Sequence, residues 1–132
     1  MFKTFSFLLL SARVGLGCML ASVAFAESIP QTHVLQRINV PQSSYQMGMG
    51  IAEFAPNAIK AAQKQTGPEL CYVLEGEVVF MVEGQAAKTY KAGDSYQNLP
   101  NLVHWTKAGP KGAKILATWA LQPGKPFVTL VH

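Results

Sequence analysis

Hydrophobic residues occur in short runs along this chain, and turn-forming residues separate the runs. No window of about twelve or more residues keeps the apolar stripe of a helix free of breakers. Short apolar runs bounded by Gly, Pro, Asn and Asp are typical of β-strands. The pattern therefore predicts strands at His33–Asn39, Tyr45–Phe54, Leu70–Leu74, Val78–Val82, Ala86–Tyr90, Ser95–Asn98, Val103–Lys107, Ala113–Leu121 and Phe127–Val131.

Two tight turns lie between consecutive predicted strands. The segments Leu74-Glu75-Gly76-Glu77 and Val82-Glu83-Gly84-Gln85 each place a glycine where a hairpin requires positive φ. These turns predict a meander of three strands. Many short strands in so small a chain favour an all-β fold, either a small barrel or a two-sheet jelly-roll sandwich.

Residues 1–26 have the composition of a secretory signal peptide. Lys3 and Arg13 are followed by an apolar run from Val14 that ends in Ala24-Phe25-Ala26, and no acidic residue is present. Cleavage after Ala26 would export residues 27–132, as one domain, to the periplasm or the extracellular space. A membrane anchor needs about 20 unbroken apolar residues, and Arg13 interrupts the only candidate.

Cys18 raises the question of a lipid anchor, but Gly15-Leu16-Gly17 lacks the aliphatic residue expected upstream of a lipidated cysteine. Removal of the first 26 residues leaves Cys71 as the only cysteine, so no intramolecular disulfide can form.

The net charge falls from +4 to +2, because two of the eleven basic residues leave and all seven acids remain. The remaining basic residues are scattered, and nucleic-acid binding needs clustered positive charge. We therefore expect no nucleic-acid partner and no membrane association after cleavage.

Two segments carry a family resemblance. Glu69–Gly76 has the form E-x6-G, and Lys91–His104 contains a Gly-Asp turn, a proline and a closing histidine. Together with the tail Ile115–Pro126 they resemble the two motifs of the cupin family over roughly residues 45–126. The resemblance implies a small cupin-type β-barrel. In that family two His and a Glu from the first motif, and one His from the second, hold a divalent metal.

The metal-ligand positions of the resemblance are only half retained. Glu69 and His104 match, whereas Gln63 and Gln65 stand at the two first-motif His positions. Amide oxygens bind transition metals more weakly than imidazole does. We therefore expect a site without metal, with a Glu69–His104 pair in which the imidazole can be protonated. Asn57 and Asn101 stand at positions where the family usually has glycine. Among the non-glycine residues, Asn best tolerates the left-handed region of backbone conformation.

A second interpretation keeps a metal. Cys71 follows Glu69 by two residues and so points to the same side of a strand, and Met47 and Met49 alternate on another predicted strand. With His104, these sulfur ligands suit Cu(I). A divalent metal would instead use Glu69, His104, Gln63, Gln65 and Cys71.

Three functions follow in order of preference. The first is binding of a small polar ligand in a barrel pocket, without redox catalysis. The second is a metal-free acid–base enzyme of the isomerase, epimerase or lyase type that uses Glu69 and His104. The third is a metal-dependent enzyme. The pocket predicted for all three functions is formed by Gln63, Gln65, Glu69, Cys71, His104, Met47 and Met49. Four aromatic residues either line the mouth of this pocket or serve as ordinary strand packing, namely Tyr72, Tyr96, Trp105 and Trp119.

The predicted strand His33–Asn39 can add to the sheet of another copy of the chain. Because most soluble oligomers are two-fold dimers, we expect a homodimer.

Overall fold

The computed structural model describes residues 30–131, so the predicted signal peptide, Cys18 and His132 lie outside the described residues. The described chain consists of strands, turns and loops. No helix among these residues is long and apolar enough to cross a membrane. The strands are β1 (Gln31–Asn39), β2 (Gln46–Phe54), β3 (Ile59–Gln65), β4 (Glu69–Val82), β5 (Lys88–Lys91), β6 (Ser95–Asn98), β7 (His104–Leu121) and β8 (Val128–Leu130).

All strand pairs are antiparallel, and together they form one sheet that curls into a half-barrel. The two long strands, β4 and β7, take part in both halves of the curl. The first sheet half has the order β1-β2-β7-β4-β6, and the second has the order β8-β3-β7-β4-β5. Their inward side chains form a core centred on Val73, Val78 and Ile115, which are almost completely buried.

The half-barrel bends where β4 and β7 cross from one half to the other. Gly76 pairs with Ala113 and Val78 pairs with Ala108, so β7 has an irregular insertion opposite a bulge in β4. Gly76 and Gly112 have φ values of 73° and 77°. A side chain on Gly76 would collide with the Gly112 carbonyl oxygen. The bend therefore requires glycine for both its conformation and its close approach.

The structure corrects several predicted strands. The predicted strands on either side of Gly76 are one strand, β4, so Gly76 lies in a bulge and not in a hairpin turn. The predicted strands on either side of Gly109-Pro110 are likewise one strand, β7. A turn at Glu83-Gly84 does connect β4 to β5, so only one of the two predicted meander turns is present.

Strand β3 was missed. Its sequence, Ile59–Gln65, is rich in Ala, Lys and Gln and contains a single β-branched residue. Such residues have low intrinsic strand propensity, which tertiary pairing overrides. Here β7 on one side and β8 on the other provide that pairing.

Candidate functional site

Three strands bring four of the predicted site residues together inside the half-barrel. Gln63 and Gln65 point inward from β3, Glu69 begins β4, and His104 begins β7. Gln63 is directly paired with His104 across the β3–β7 ladder. The glutamines and the histidine are buried, and Glu69 is half-buried.

A fifth residue, Asn98 on β6, connects these side chains. Its amide nitrogen lies 3.3 Å from Glu69 Oε2 and 2.9 Å from His104 Nε2. Gln65 Nε2 donates to the same Glu69 oxygen at 2.7 Å, and Gln63 Nε2 lies 3.4 Å from His104 Nε2. We call Gln63, Gln65, Glu69, Asn98 and His104 the polar centre.

The network defines the protonation of His104. Nδ1 lies 3.0 Å from the carbonyl oxygen of Leu102, and a carbonyl can only accept, so Nδ1 carries the proton. A carboxylate can also only accept hydrogen bonds, so Glu69 orients the Asn98 side chain with its amide nitrogen toward the polar centre. Nε2 of His104 therefore accepts from Asn98. Burial lowers the pKa of His104, which favours this neutral form.

The Glu69–His104 pair expected from the sequence is therefore not a direct ion pair. Among residues 30–131, the ion pairs join Lys114 to Glu53 and to Glu75, and Asn98 bridges Glu69 and His104 instead. Asn98 was missed as a site residue, although the sequence held a signal for it. Strand β6 was predicted at its correct bounds, and alternation from Tyr96 places Asn98 on the same inward face.

Two oxygens of the polar centre have no hydrogen-bond partner in the described structure, Gln65 Oε1 and Asn98 Oδ1. Both are buried. Buried polar atoms are normally paired with protein groups or ordered water. The cavity lined by Asn98, Glu69, Gln63 and His104 measures about 30 Å³, a volume that admits one or two water molecules. It is too small for an organic ligand.

A much larger cavity, of about 560 Å³, opens beside β5 and β6. We call it the β5–β6 cleft. The two strands pair with successive parts of β4 and leave this opening between them. The cleft is lined by Leu70, Cys71, Phe80, Val82, Gln85, Ala86, Lys88, Tyr90, Ser95, Tyr96, Gln97, Leu99 and Leu102.

Aromatic rings separate the cleft from the polar centre. The ring centroids of Tyr90 and Tyr96 are 4.7 Å apart, those of Phe80 and Tyr96 are 4.9 Å apart, and those of Phe80 and His104 are 5.7 Å apart. Phe80, Tyr96 and Cys71 line both cavities. These three side chains are therefore the wall between the open cleft and the buried centre.

Cys71 and Tyr96 are both held in their neutral forms. Burial, followed by the negative charge of Glu69, raises the pKa of the Cys71 thiol to about 12. Burial also raises the pKa of the Tyr96 hydroxyl. Because the thiolate is the reactive and metal-binding form of cysteine, Cys71 has the character of a packed hydrophobic residue at neutral pH.

The remaining predicted pocket residues do not reach the polar centre. On β2 the buried inward positions are Gly48, Gly50, Ala52 and Phe54, so Met47 and Met49 point to the opposite face of the sheet. Trp119 packs in the core and Tyr72 is exposed. Within residues 30–131, no three His, Cys, Asp or Glu side chains are grouped closely enough to hold a metal ion.

Lys60 is a second side chain that sequence reasoning missed. It lies half-buried on β3 and lines the small cavity. Its positive charge contributes, after burial, to lowering the pKa of His104. No sequence signal distinguishes it from the other lysines of the chain.

Residues 50–119, more than half of the chain, match the family described as Cupin domain. No curated protein matches the sequence.

Several solved structures are similar in fold. A Klebsiella pneumoniae protein with a double-stranded β-helix domain is 20% identical, with a TM-score of 0.63, over 81% of this chain and 88% of that one. A cupin-like protein from Thermotoga maritima is 21% identical, with a TM-score of 0.57, over 76% and 74%. A DMSP lyase from Ruegeria pomeroyi is 16% identical, with a TM-score of 0.65, over 78% of this chain and 52% of the lyase. At these identities the similarity shows the fold alone, because one fold supports many functions.

Proposed function

This chain belongs to the cupin domain family, and on that premise we propose that it is an exported protein that binds a small molecule in the β5–β6 cleft. The difference in size between the two cavities carries this proposal. A cleft of about 560 Å³ is within the range of small-molecule sites, whereas the cavity at the polar centre admits only water-sized groups. The proposed ligand site therefore lies outward from the pocket residues expected from the sequence. Of these, Cys71 lines the cleft, and so does Tyr96, which the sequence offered as a residue of the pocket mouth.

The lining of the cleft points to the chemistry of its ligand. Leucine, valine and aromatic side chains supply most of the walls, and Lys88 is the only charged side chain among the lining residues. An apolar body would pack against Tyr90, Tyr96 and Leu102. A single anionic group would pair with Lys88. The structure thus favours a small carboxylate with an apolar body.

The polar centre does not fit the metal that the family resemblance implies. A metal would need the lone pair on His104 Nε2 and a carboxylate oxygen of Glu69. Amide nitrogens from Asn98, Gln63 and Gln65 already lie within hydrogen-bond distance of these two atoms. In our proposal the centre is a hydrogen-bonded support that fixes β3, β4, β6 and β7 behind the cleft.

The ligand proposal can be tested with defined probes. Phenylacetate, benzoate and hexanoate are titrated into isotope-labelled protein and followed by amide NMR, with phenylacetamide as the neutral counterpart of phenylacetate. We expect shifts at Lys88, Ser95 and Gln97, and weaker shifts with the amide. Lys88→Met should weaken phenylacetate binding by about 2–5-fold, the size expected for an exposed ion pair.

Lys91→Met is the matched control, because Lys91 lies on the same strand outside the cleft. It should leave phenylacetate binding unchanged. The proposal is wrong if none of the three carboxylates shifts resonances of the cleft, or if the shifts are confined to another surface. Export is tested separately by sequencing the N-terminus of the secreted protein, which should begin at Glu27.

A metal-free acid–base enzyme is the second candidate. The neutral imidazole of His104 supports it, since an unprotonated Nε2 is what a general base requires. Its access to substrate is the difficulty, because His104 is buried behind Phe80 and does not line the cleft. Catalysis would require the aromatic wall to open. Turnover of a cleft-binding probe that is lost in His104→Gln would favour this candidate over simple binding.

A further inference from the structure

The unpaired atoms of the polar centre share one chemical property. In the described part of the chain, the buried side-chain atoms without a hydrogen-bond partner are Gln65 Oε1 and Asn98 Oδ1. Both are amide oxygens, which can only accept, and their residues are 1% and 4% exposed. An unpaired buried acceptor is costly. The centre therefore requires a group that donates hydrogen bonds.

The negative charge of the centre has no counter-charge either. Gln65 and Asn98 both donate to Oε2 of Glu69, so Oε1 is left for a further partner. Within residues 30–131 the ion pairs are those that Lys114 makes with other carboxylates. Because charges away from water are normally paired, the half-buried Glu69 carboxylate favours a cation beside it.

Three oxygens surround this position. An amide oxygen lies about 2.2 Å from its own nitrogen, and the nitrogens of Gln65 and Asn98 lie 2.7 Å and 3.3 Å from Glu69 Oε2. Both unpaired oxygens are therefore within about 5.5 Å of that carboxylate oxygen, and Glu69 Oε1 is the third acceptor. A hard metal ion such as Ca²⁺ takes at least six oxygen ligands. Three acceptors instead match the three hydrogens of a protonated amine.

We infer that the polar centre is a binding site for one ammonium group, held by Gln65 Oε1, Asn98 Oδ1 and the Glu69 carboxylate. The cavity of about 30 Å³ lined by Glu69 and Asn98 accepts a group of the size of a water molecule, and ammonium is close to water in size. The site is separate from the β5–β6 cleft, and its test does not depend on ligand binding there.

The ammonium group has two sources, the side chain of Lys60 or a free ammonium ion. Lys60 is half-buried on β3 and lines the small cavity. Its charge adds to burial in lowering the pKa of His104, which shows that the amine faces the centre. Thr32, exposed on β1, lines the same cavity. A free ion would therefore enter between β1 and β3, past Lys60.

Ammonium chloride is the probe, and potassium chloride and tetramethylammonium chloride at equal concentrations are the control salts. Potassium has the charge and about the size of ammonium but no hydrogen to donate, and tetramethylammonium is too large for the cavity. Lys60→Met removes the lysine that faces the centre. This variant should unfold at a higher temperature in ammonium chloride than in either control salt. The difference should be about 5–10 °C at about ten times the dissociation constant.

The parent protein distinguishes the two sources. If Lys60 supplies the group, its Nζ hydrogens should exchange slowly with water in NMR spectra, and the parent should respond equally to ammonium and potassium chloride. If free ammonium is the ligand, the parent should respond to ammonium chloride as Lys60→Met does. Lys64→Met is the matched control, because Lys64 is exposed on the same strand, and it should behave as the parent does.

Glu69→Gln removes the charge of the site and should abolish the response to ammonium chloride in either background. A response that survives this substitution would overturn the inference, and so would an equal response of Lys60→Met to potassium chloride. Fast exchange of the Lys60 amine, with no response to ammonium in the parent or in Lys60→Met, would also overturn it, because the centre would then hold water alone. The measurements on the parent need no variant, so they remain decisive if Lys60→Met does not fold.

Discussion

The amide nitrogen of Asn98 lies 2.9 Å from Nε2 of His104 and thereby assigns the proton of the imidazole to Nδ1. The same nitrogen contacts Glu69 Oε2, so the carboxylate orients the amide and the amide orients the histidine. Burial adds to this by lowering the pKa of His104. Nitrogen-detected NMR should find the Nδ1–H tautomer at pH 7. A detected Nε2–H form would contradict the assigned network.

Stability should fall with acid because of His104. Its folded pKa is lowered, so the unfolded chain takes up the proton first, near the ordinary pKa of 6.5. The contribution is therefore fully present above pH 6.5 and is lost as the pH falls below that value. Urea unfolding at a series of pH values should show this slope, and His104→Gln should remove it. His33→Gln, on exposed β1, should leave the slope in place.

Asn98→Asp should reverse the behaviour of His104. A carboxylate at this position repels Glu69 and attracts a protonated imidazole, so the pKa of His104 should rise above that of the parent protein. The histidine resonances followed by NMR against pH give this pKa. Asn101→Asp, in the exposed turn beyond β6, should not change it. An unaltered His104 titration in Asn98→Asp would mean that the amide does not control the ring.

The Cys71 thiol should resist modification. Its pKa, raised to about 12 mainly by burial, leaves almost no thiolate at pH 8. A disulfide reagent such as DTNB should therefore react slowly with the folded protein and rapidly after unfolding in urea. Fast reaction of the folded protein would show that Cys71 is accessible and would restore it as a candidate soft-metal ligand.

Alanine substitutions at Gly76 and Gly84 should distinguish two causes of lost stability, the left-handed backbone conformation and a steric collision. Both have positive φ, 73° and 76°. Open space surrounds Gly84, whereas a side chain on Gly76 would meet the Gly112 carbonyl. Gly84→Ala should cost about 1–2 kcal/mol for the left-handed conformation alone. Gly76→Ala should cost clearly more in chemical unfolding, and equal costs would argue against the close contact at the bend.

The presence of glutamine instead of histidine at positions 63 and 65 should prevent tight metal binding. We expect elemental analysis of the purified parent protein to give far less than one metal per chain, unchanged by His104→Ala. The combined variant Gln63→His and Gln65→His adds two imidazoles beside Glu69 and His104, and Co²⁺ titration should then show tighter binding than the parent protein does. Stoichiometric metal in the parent, lost in His104→Ala, would overturn the metal-free proposal.

The sequence was sufficient to predict the fold class and the family. The structure explains why some predicted turns are absent. The all-β prediction and the cupin resemblance are confirmed. Asn57 and Asn101 adopt φ values of 60° and 64°, as expected for residues at glycine positions. Glycine and proline predicted turns at Gly76 and Pro110 because both residues break strands locally. Long-range pairing of β4 with β7 carries the chain through those breaks.

The site was harder to predict for a related reason. The positions of Gln63, Gln65 and Glu69 came from the family resemblance and not from strand alternation, and the structure brings these side chains together from β3 and β4. The β5–β6 cleft depends on how far two short strands lie apart, which no local pattern encodes. Lys88 and Tyr90 therefore gave no signal of their own, and the methionines of β2 were assigned to the wrong face.

The walls of the cleft are also formed by strands that have a single neighbour in the sheet. Within residues 30–131, β5 and β6 each pair only with β4, over four residues apiece. By contrast, β4 and β7 are bonded on both sides and through both halves of the curl. Local unfolding of β5 and β6 should therefore occur at a free energy well below that of global unfolding. Amide hydrogens there should exchange before those of β7, and a bound ligand that bridges the two strands should slow that exchange while leaving β7 unchanged.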